Sequence, residues 1–230
     1  MDLDHMVALI DHNGWITTGR VLSDAEVFAL RECVAPLGVA GRGGTRNLLA
    51  HAPIRELATS ASVRGIAAAV LGEACFAVRA ILFDKTPDAN WKVVWHQDLS
   101  IATRRRVDVP GFGPWTEKGG VTHVQPPLAI LERMLAVRVH LDPCGAENGP
   151  VRVIDGSHRH GRLSPTRIDE LRRTEPERDC LVEQGGILAF RPLLLHASAP
   201  AVVPAHRRVI HIEYAAHSLP APLEWYERID

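Results

Sequence analysis

The spacing of apolar and polar positions changes character near residue 75. Before it the period is helical. Ser23 followed by Glu26 makes a capping box, and Val27, Leu30 and Val34 then recur on one stripe, which predicts a helix over 23–37. Residues 53–71 are Ala-rich and predict one or two more helices, closed by Gly72. From Cys75 the spacing shortens. Phe76-Ala77-Val78-Arg79-Ala80-Ile81-Leu82-Phe83 is β-branched and aromatic enough for a strand, and Val93–His96 reads as the next. Further strands are predicted at Leu135–Leu141, Val151–Ile154, Cys180–Val182, Gly186–Phe190 and Val209–Tyr214. Pro126-Pro127 opens a short helix from Leu128 to Met134, and another lies near Ile168–Arg173. Helices first and mostly strands afterwards is an α+β order with a β-sandwich or barrel at its heart.

Residues 99–127 break the pattern: they are rich in Gly, Pro and Arg and keep no period, so they read as a lid or binding loop. At 230 residues the chain fits one large domain, with a helical part at about 1–72 and a β core at about 75–215. Lys and Arg total 26 against 27 acidic residues, which argues against a nucleic-acid footprint or a polybasic membrane patch. Met1-Asp2-Leu3-Asp4-His5 has no secretory character, and no apolar run is long enough to span a membrane. Cys33, Cys75, Cys144 and Cys180 are widely spread, as expected of reduced thiols in a cytoplasmic protein. Oligomeric state is not legible.

Histidine is the unusual residue, with 12 copies. The run Val93-Val94-Trp95-His96-Gln97-Asp98 ends in a His-x-Asp pair, and alternate residues of a strand face the same way. One imidazole and one carboxylate are two members of the two-His, one-carboxylate set that holds non-haem Fe(II) with open positions. The spacing alone decides little, because the composition yields roughly one or two such pairs by chance. Three occur: His96/Asp98, His140/Asp142 and His211/Glu213. What singles out the first is the downstream context. A glycine turn at Gly185-Gly186 leads into Ile187-Leu188-Ala189-Phe190 and then an apolar segment ending at His196, with Arg207 eleven residues later. An arginine there would offer a planar two-pronged donor to the distal carboxylate of a dicarboxylic co-substrate.

With Glu147-Asn148-Gly149-Pro150 and Gly156-Ser157-His158 added, the chain resembles the phytanoyl-CoA dioxygenase family of Fe(II)/2-oxoglutarate oxygenases over about residues 76–215. The resemblance implies a double-stranded β-helix, the cupin-like jelly-roll barrel, with N-terminal and supporting helices. It implies Fe(II) bound by His96, Asp98 and His196, 2-oxoglutarate anchored by Arg207, secondary co-substrate contacts at Gln97 and Ser198, and O2 as oxidant. Succinate and CO2 would be formed. Asp98 stands where related halogenases have a small residue, so the resemblance implies hydroxylation, or desaturation, cyclisation or epimerisation. Two positions depart from the family pattern. Asp155 replaces a frequent proline, and Arg138 stands where many members carry tryptophan.

Arg138, His140 and Asp142 share one strand face against Val137, Val139 and Leu141. That face is expected to line the pocket, with Arg138 and His140 contacting substrate; an outward polar stripe is the alternative. His211/Glu213 reads as an ordinary half-exposed pair. His158 and His160 belong to a turn, having no thiolate partners for zinc. In the lid, Trp115, Thr122, His123 and Gln125 are candidates for closing over a substrate, and Arg46-Asn47 after Gly43-Gly44 for reaching the same pocket. Arg104-Arg105-Arg106 reads first as a solvated face and second as a substrate clamp. Together with Lys118 and His123, these donors favour a small polar or carboxylate-bearing substrate over a hydrocarbon. A non-redox metal- or sugar-binding jelly roll, or a metal enzyme without 2-oxoglutarate, is the alternative. Neither has need of a dicarboxylate anchor such as Arg207.

Overall fold

The computed structural model describes residues 2–37 and 44–230. Its helices come first: α1 (Leu3–Asn13), the short strand β1 (Trp15–Thr17), α2 (Asp24–Val34), α3 (Ala52–Thr59) and α4 (Ala61–Leu71). The capping box forms at α2, where Ser23 Oγ accepts from the Glu26 amide at 3.3 Å and the Glu26 carboxylate accepts from the Ser23 amide at 2.7 Å. The expected pair of helices over 53–71 is present as α3 and α4. Nothing in the pattern predicts α1, because only Met6 and Ile10 of its residues are buried.

The strands follow: β2 (Phe76–Lys85), β3 (Val93–His96), β4 (Ile101–Thr103), β5 (Trp115–Lys118), β6 (Val121–Val124), then the one-turn helix α5 (Leu128–Leu131) and β7 (Met134–His140). After them come β8 (Val151–Ile154), helix α6 (Pro165–Thr174), β9 (Glu177–Cys180), β10 (Ile187–Phe190), β11 (His196–Ser198) and β12 (Arg207–Ala215). An antiparallel five-stranded sheet in the order β1-β10-β7-β12-β2 faces a four-stranded one in the order β3-β11-β8-β9, which makes the jelly roll. No described helix is long and apolar enough to cross a membrane.

Strand parity builds the layers. Val137 and Val139 of β7, with Ile210, Ile212 and Tyr214 of β12, face the helices and join the largest core cluster. Full burial of one such side chain is worth about 1.5–3 kcal/mol. Residues of the other parity, Arg138 on β7 and Arg207, His211 and Glu213 on β12, face the barrel interior and line its cavity.

Two expectations need correction. Residues 99–127 are not structureless: β4, β6 and β5 form a third antiparallel sheet whose Ile101 and Val124 are buried. Three- and four-residue strands are too short to show a period. The legible signal was Gly119-Gly120, whose φ values of 59° and 75° close a two-residue hairpin from Lys118 to Val121. The helix expected to reach Met134 stops at Leu131, and Met134 opens β7.

Candidate active site

The four-stranded sheet brings the three motif residues together. His96 on β3 and His196 on β11 are direct cross-strand partners, with ring centroids 4.2 Å apart. Asp98 lies just past β3, held by its amide on Pro192 O at 2.9 Å. Its carboxylate stands 3.6 Å from His96 Nε2 and 3.7 Å from His196 Nε2. All three ligand atoms lie within 4.8 Å of one another, which fits a facial triad.

Both rings are fixed in the same way. His96 Nδ1 lies 2.8 Å from Val94 O and His196 Nδ1 2.9 Å from Leu194 O. A neutral imidazole makes that contact with its proton on Nδ1, leaving the Nε2 lone pair free for a metal. Burial penalises the Asp98 carboxylate, but the His196 and His96 imidazoles outweigh it and hold the carboxyl well below its usual range. Burial, reinforced by the charge of His96, lowers His196 to about 4, so it stays neutral. For His96, burial is outweighed by the negative charge of the Asp98 carboxylate beside it, and its pKa rises.

The triad opens into a cavity of about 260 Å³. Arg207 lies in its wall, buried, with an Nη donating to Gly149 O and an Nε that finds no partner among the described residues. Ser198 Oγ donates to the same carbonyl at 2.9 Å and accepts from Lys85 Nζ at 2.7 Å. Burial, followed by the Arg207 charge, pulls Lys85 down to about 7. Arg138 stacks its guanidinium 5.2 Å above the Phe83 ring, and burial lowers it to about 10.

The remaining sequence candidates divide. Ser198, Arg138, Arg46 and Lys118 line the cavity, but Gln97, His140, Trp115, His123 and Asn47 do not. Gln97 points the other way along the chain and spends its amide on backbone, donating to Gly161 O and Leu193 O and accepting from the Leu163 amide at 2.7–2.8 Å. His140 faces inward as expected but is 2% exposed and sealed from the cavity, with neither ring nitrogen partnered. Its supposed metal partner Asp142 is held by Arg31 and Arg208. Trp115 packs into the lid core under Arg106. His123 is buried with Nδ1 on Val121 O. Thr122 and Gln125 are absent from the lining, and His158 sits in a short 3-10 turn, as expected of a non-ligand. Arg104 and Arg106 pair with Glu224 and Asp108 at the surface. Gly43 lies outside the described residues.

His211 and Glu213 are not half-exposed: they are 3% and 4% exposed and line the cavity, with Glu213 accepting from Arg79. Arg79 had no sequence reading at all. The signal for Glu213 is parity, since 207, 211 and 213 fall on one strand face and Arg207 is the expected co-substrate anchor.

A comparison with curated proteins finds no match. Among solved structures, AviO1 from Streptomyces viridochromogenes Tue57 is similar at 23% identity, covering 96% of this chain and 98% of its own, with a TM-score of 0.67. EctD from S. alaskensis with bound Fe is similar at 20% identity, covering 95% of this chain and 79% of its own, with a TM-score of 0.73. The epimerase SnoN, in complex with Fe3+, alpha ketoglutarate and nogalamycin RO, aligns at 16% identity over 93% of this chain and 83% of its own, with a TM-score of 0.69. These likenesses speak to the fold. The profile described as Phytanoyl-CoA dioxygenase (PhyH) matches residues 10–209, from the last turn of α1 to the start of β12. The chain therefore belongs to the phytanoyl-CoA dioxygenase family and is an Fe(II)- and 2-oxoglutarate-dependent dioxygenase.

Proposed function

We propose that His96, Asp98 and His196 hold the iron, that Arg207 anchors the distal carboxylate of 2-oxoglutarate, and that the enzyme hydroxylates a small polar or carboxylate-bearing metabolite. The observation that carries this reading is a pair of free Nε2 atoms beside one carboxylate, opening on a cavity whose wall holds a buried arginine that has no acidic partner for its guanidinium among the described residues. A buried cation without its anion is costly, so a dicarboxylate would complete the site.

Bound iron and 2-oxoglutarate supply the oxidising power, with O2 consumed and succinate and CO2 released. The chain's residues do the rest. His96 and His196 present their Nε2 atoms because backbone carbonyls hold Nδ1. Asp98 brings the negative charge that two neutral imidazoles lack. Ser198 sits beside Arg207 and, through the shared Gly149 carbonyl, fixes where the guanidinium points. The inward apolar residues Ile81 and Phe83 exclude water from part of the cavity.

The same oxidant can desaturate, cyclise or epimerise. Structural neighbours named as a carbocyclase and an epimerase make that the second reading. A non-redox metal- or sugar-binding barrel is disfavoured by Arg207. The test is metal content and succinate release with Fe(II) and 2-oxoglutarate. Wild-type protein should bind about one iron and release succinate, and Asp98→Ala and His196→Ala should lose both while keeping a cooperative melt. Full iron occupancy and activity in these variants would refute the assignment.

A further inference from the structure

Five basic side chains line the cavity: Arg46, Arg79, Lys118, Arg138 and Arg207. Two carboxylates, Asp98 and Glu213, oppose them, leaving a formal surplus of three positive charges with the histidines neutral. The chain as a whole has a net charge of −1, so the surplus is local. On the proposed function, on which this inference rests, Fe(II) adds two positive charges and 2-oxoglutarate removes two. The surplus outlasts the loading of both.

The cations form two groups. Arg207 stands against Lys85 on β2, and its charge depresses Lys85 and Arg138. Glu213 stands against Arg79 six residues further along β12, about 20 Å away along the strand and beyond the reach of a five-carbon diacid bound at Arg207. Arg46 and Lys118 belong to the second group. Arg46 follows Thr45, whose backbone pairs with Leu82 of β2 through hydrogen bonds of 2.9 and 2.8 Å. Lys118 ends β5, beside the Gly119-Gly120 turn, and a Cβ placed on Gly119 would lie 3.7 Å from Arg46 Cδ.

Among the described residues neither Arg46 nor Lys118 has an acidic partner. Arg46 keeps a buried Nε with no acceptor, and Lys118 donates only to Ser100 Oγ at 3.0 Å. None of the residues at 1 and 38–43 is acidic either. Burial lowers the pKa of both, and Arg79 lowers each further. Of the two carboxylates that act on Lys118, Asp98 sits between the His96 and His196 rings and Glu213 is already engaged by Arg79 and His211.

We infer that Arg46 and Lys118 form an oxyanion clamp for the substrate, gripping a carboxylate or phosphate group of a small metabolite at the end of the cavity remote from Arg207. A guanidinium fork and a mobile ammonium brought side by side from two separate elements suit that recognition.

The test is calorimetry on anaerobic protein loaded with Fe(II) and saturating 2-oxoglutarate, which occupies Arg207. Inorganic phosphate and acetate are the probes, and acetamide is the neutral isostere of acetate. Phosphate and acetate should bind and acetamide should not. The double variant R46Q/K118Q should weaken both anions by about tenfold or more, the size of one charge-assisted contact. Its 2-oxoglutarate affinity should stay at the wild-type value, which also reports that it is folded, and Arg104→Gln should change nothing. Anion binding that survives in R46Q/K118Q, acetamide binding equal to acetate, or no anion binding by wild type overturns the clamp and leaves the proposed function standing. Wild-type protein that fails to bind 2-oxoglutarate removes the proposed function, and the clamp with it.

Discussion

The two walls of the barrel treat their polar atoms in opposite ways. On the β3–β11 side, His96 and His196 are each fixed by a carbonyl two residues back, Asp98 is held by Pro192, and Gln97 behind them has its amide fully bonded. On the other side, Arg46, Arg79, Arg138 and Arg207 each keep a buried Nε without a partner among the described residues. Leaving a buried donor unpaired costs about 1–3 kcal/mol. The first wall spends its Nδ1 and amide groups within the polypeptide and leaves only the two Nε2 atoms and the Asp98 carboxylate free; on the proposed function, the second is completed by what binds it. Rigid placement suits metal ligands, and unspent donors suit anions that come and go.

Breaking the open wall should have the largest effect. Arg207→Ala should raise the 2-oxoglutarate requirement by about 2–5 kcal/mol, roughly thirtyfold to several thousandfold, and Arg207→Lys should recover only part of it. Succinate release against 2-oxoglutarate concentration is the measurement. An unchanged requirement would move the anchor to Arg138, since Arg208 next door is tied to Asp142.

On the closed wall the effect should be on stability. Gln97→Ala leaves Gly161 O, Leu193 O and the Leu163 amide without their partner, at about 1–3 kcal/mol for each group that stays dry. Chemical denaturation should register the loss while half-saturation by 2-oxoglutarate stays put. A raised half-saturation with unchanged stability would restore Gln97 as a co-substrate contact.

The most gradual effect lies behind the anchor. Lys85 has its pKa pulled from 10.5 to about 7 in the folded protein, so between those values the unfolded chain binds more protons. Its contribution to stability therefore improves as pH rises from about 7 toward 10.5 and is least favourable below 7. Unfolding free energy followed across that window should climb less steeply in Lys85→Met than in wild type. Equal slopes would mean that Lys85 titrates normally.

What could be read from the sequence follows the range of the interactions involved. His96 and Asp98 share a strand face by local geometry, and the family's motif order supplied His196 and Arg207. The capping box of α2 is equally local. The lining of the cavity is not. Trp115, His123 and His140 have the chemistry of pocket residues, but the packing of the lid sheet takes Trp115 and His123 out of the cavity wall, and His140, on the inward face of β7, is buried out of its reach. Arg79 was invisible for the converse reason, a lone arginine in an apolar strand whose partner Glu213 lies on another strand. Parity says which residues share a side, and only the docking of the helices says which side is inside.

The pairing of His96 with His196 also has a consequence for biosynthesis. The two proposed ligands lie roughly one hundred residues apart in sequence, and β3 meets β11 only after everything between them has been made and folded out of the way. Contacts of such separation form late. A chain still emerging from the ribosome would carry His96 and Asp98 as a weak, exposed pair, and the third ligand would arrive only with β11. On the proposed function, tight loading with a redox-active metal would thereby be deferred until the barrel that shields it has closed.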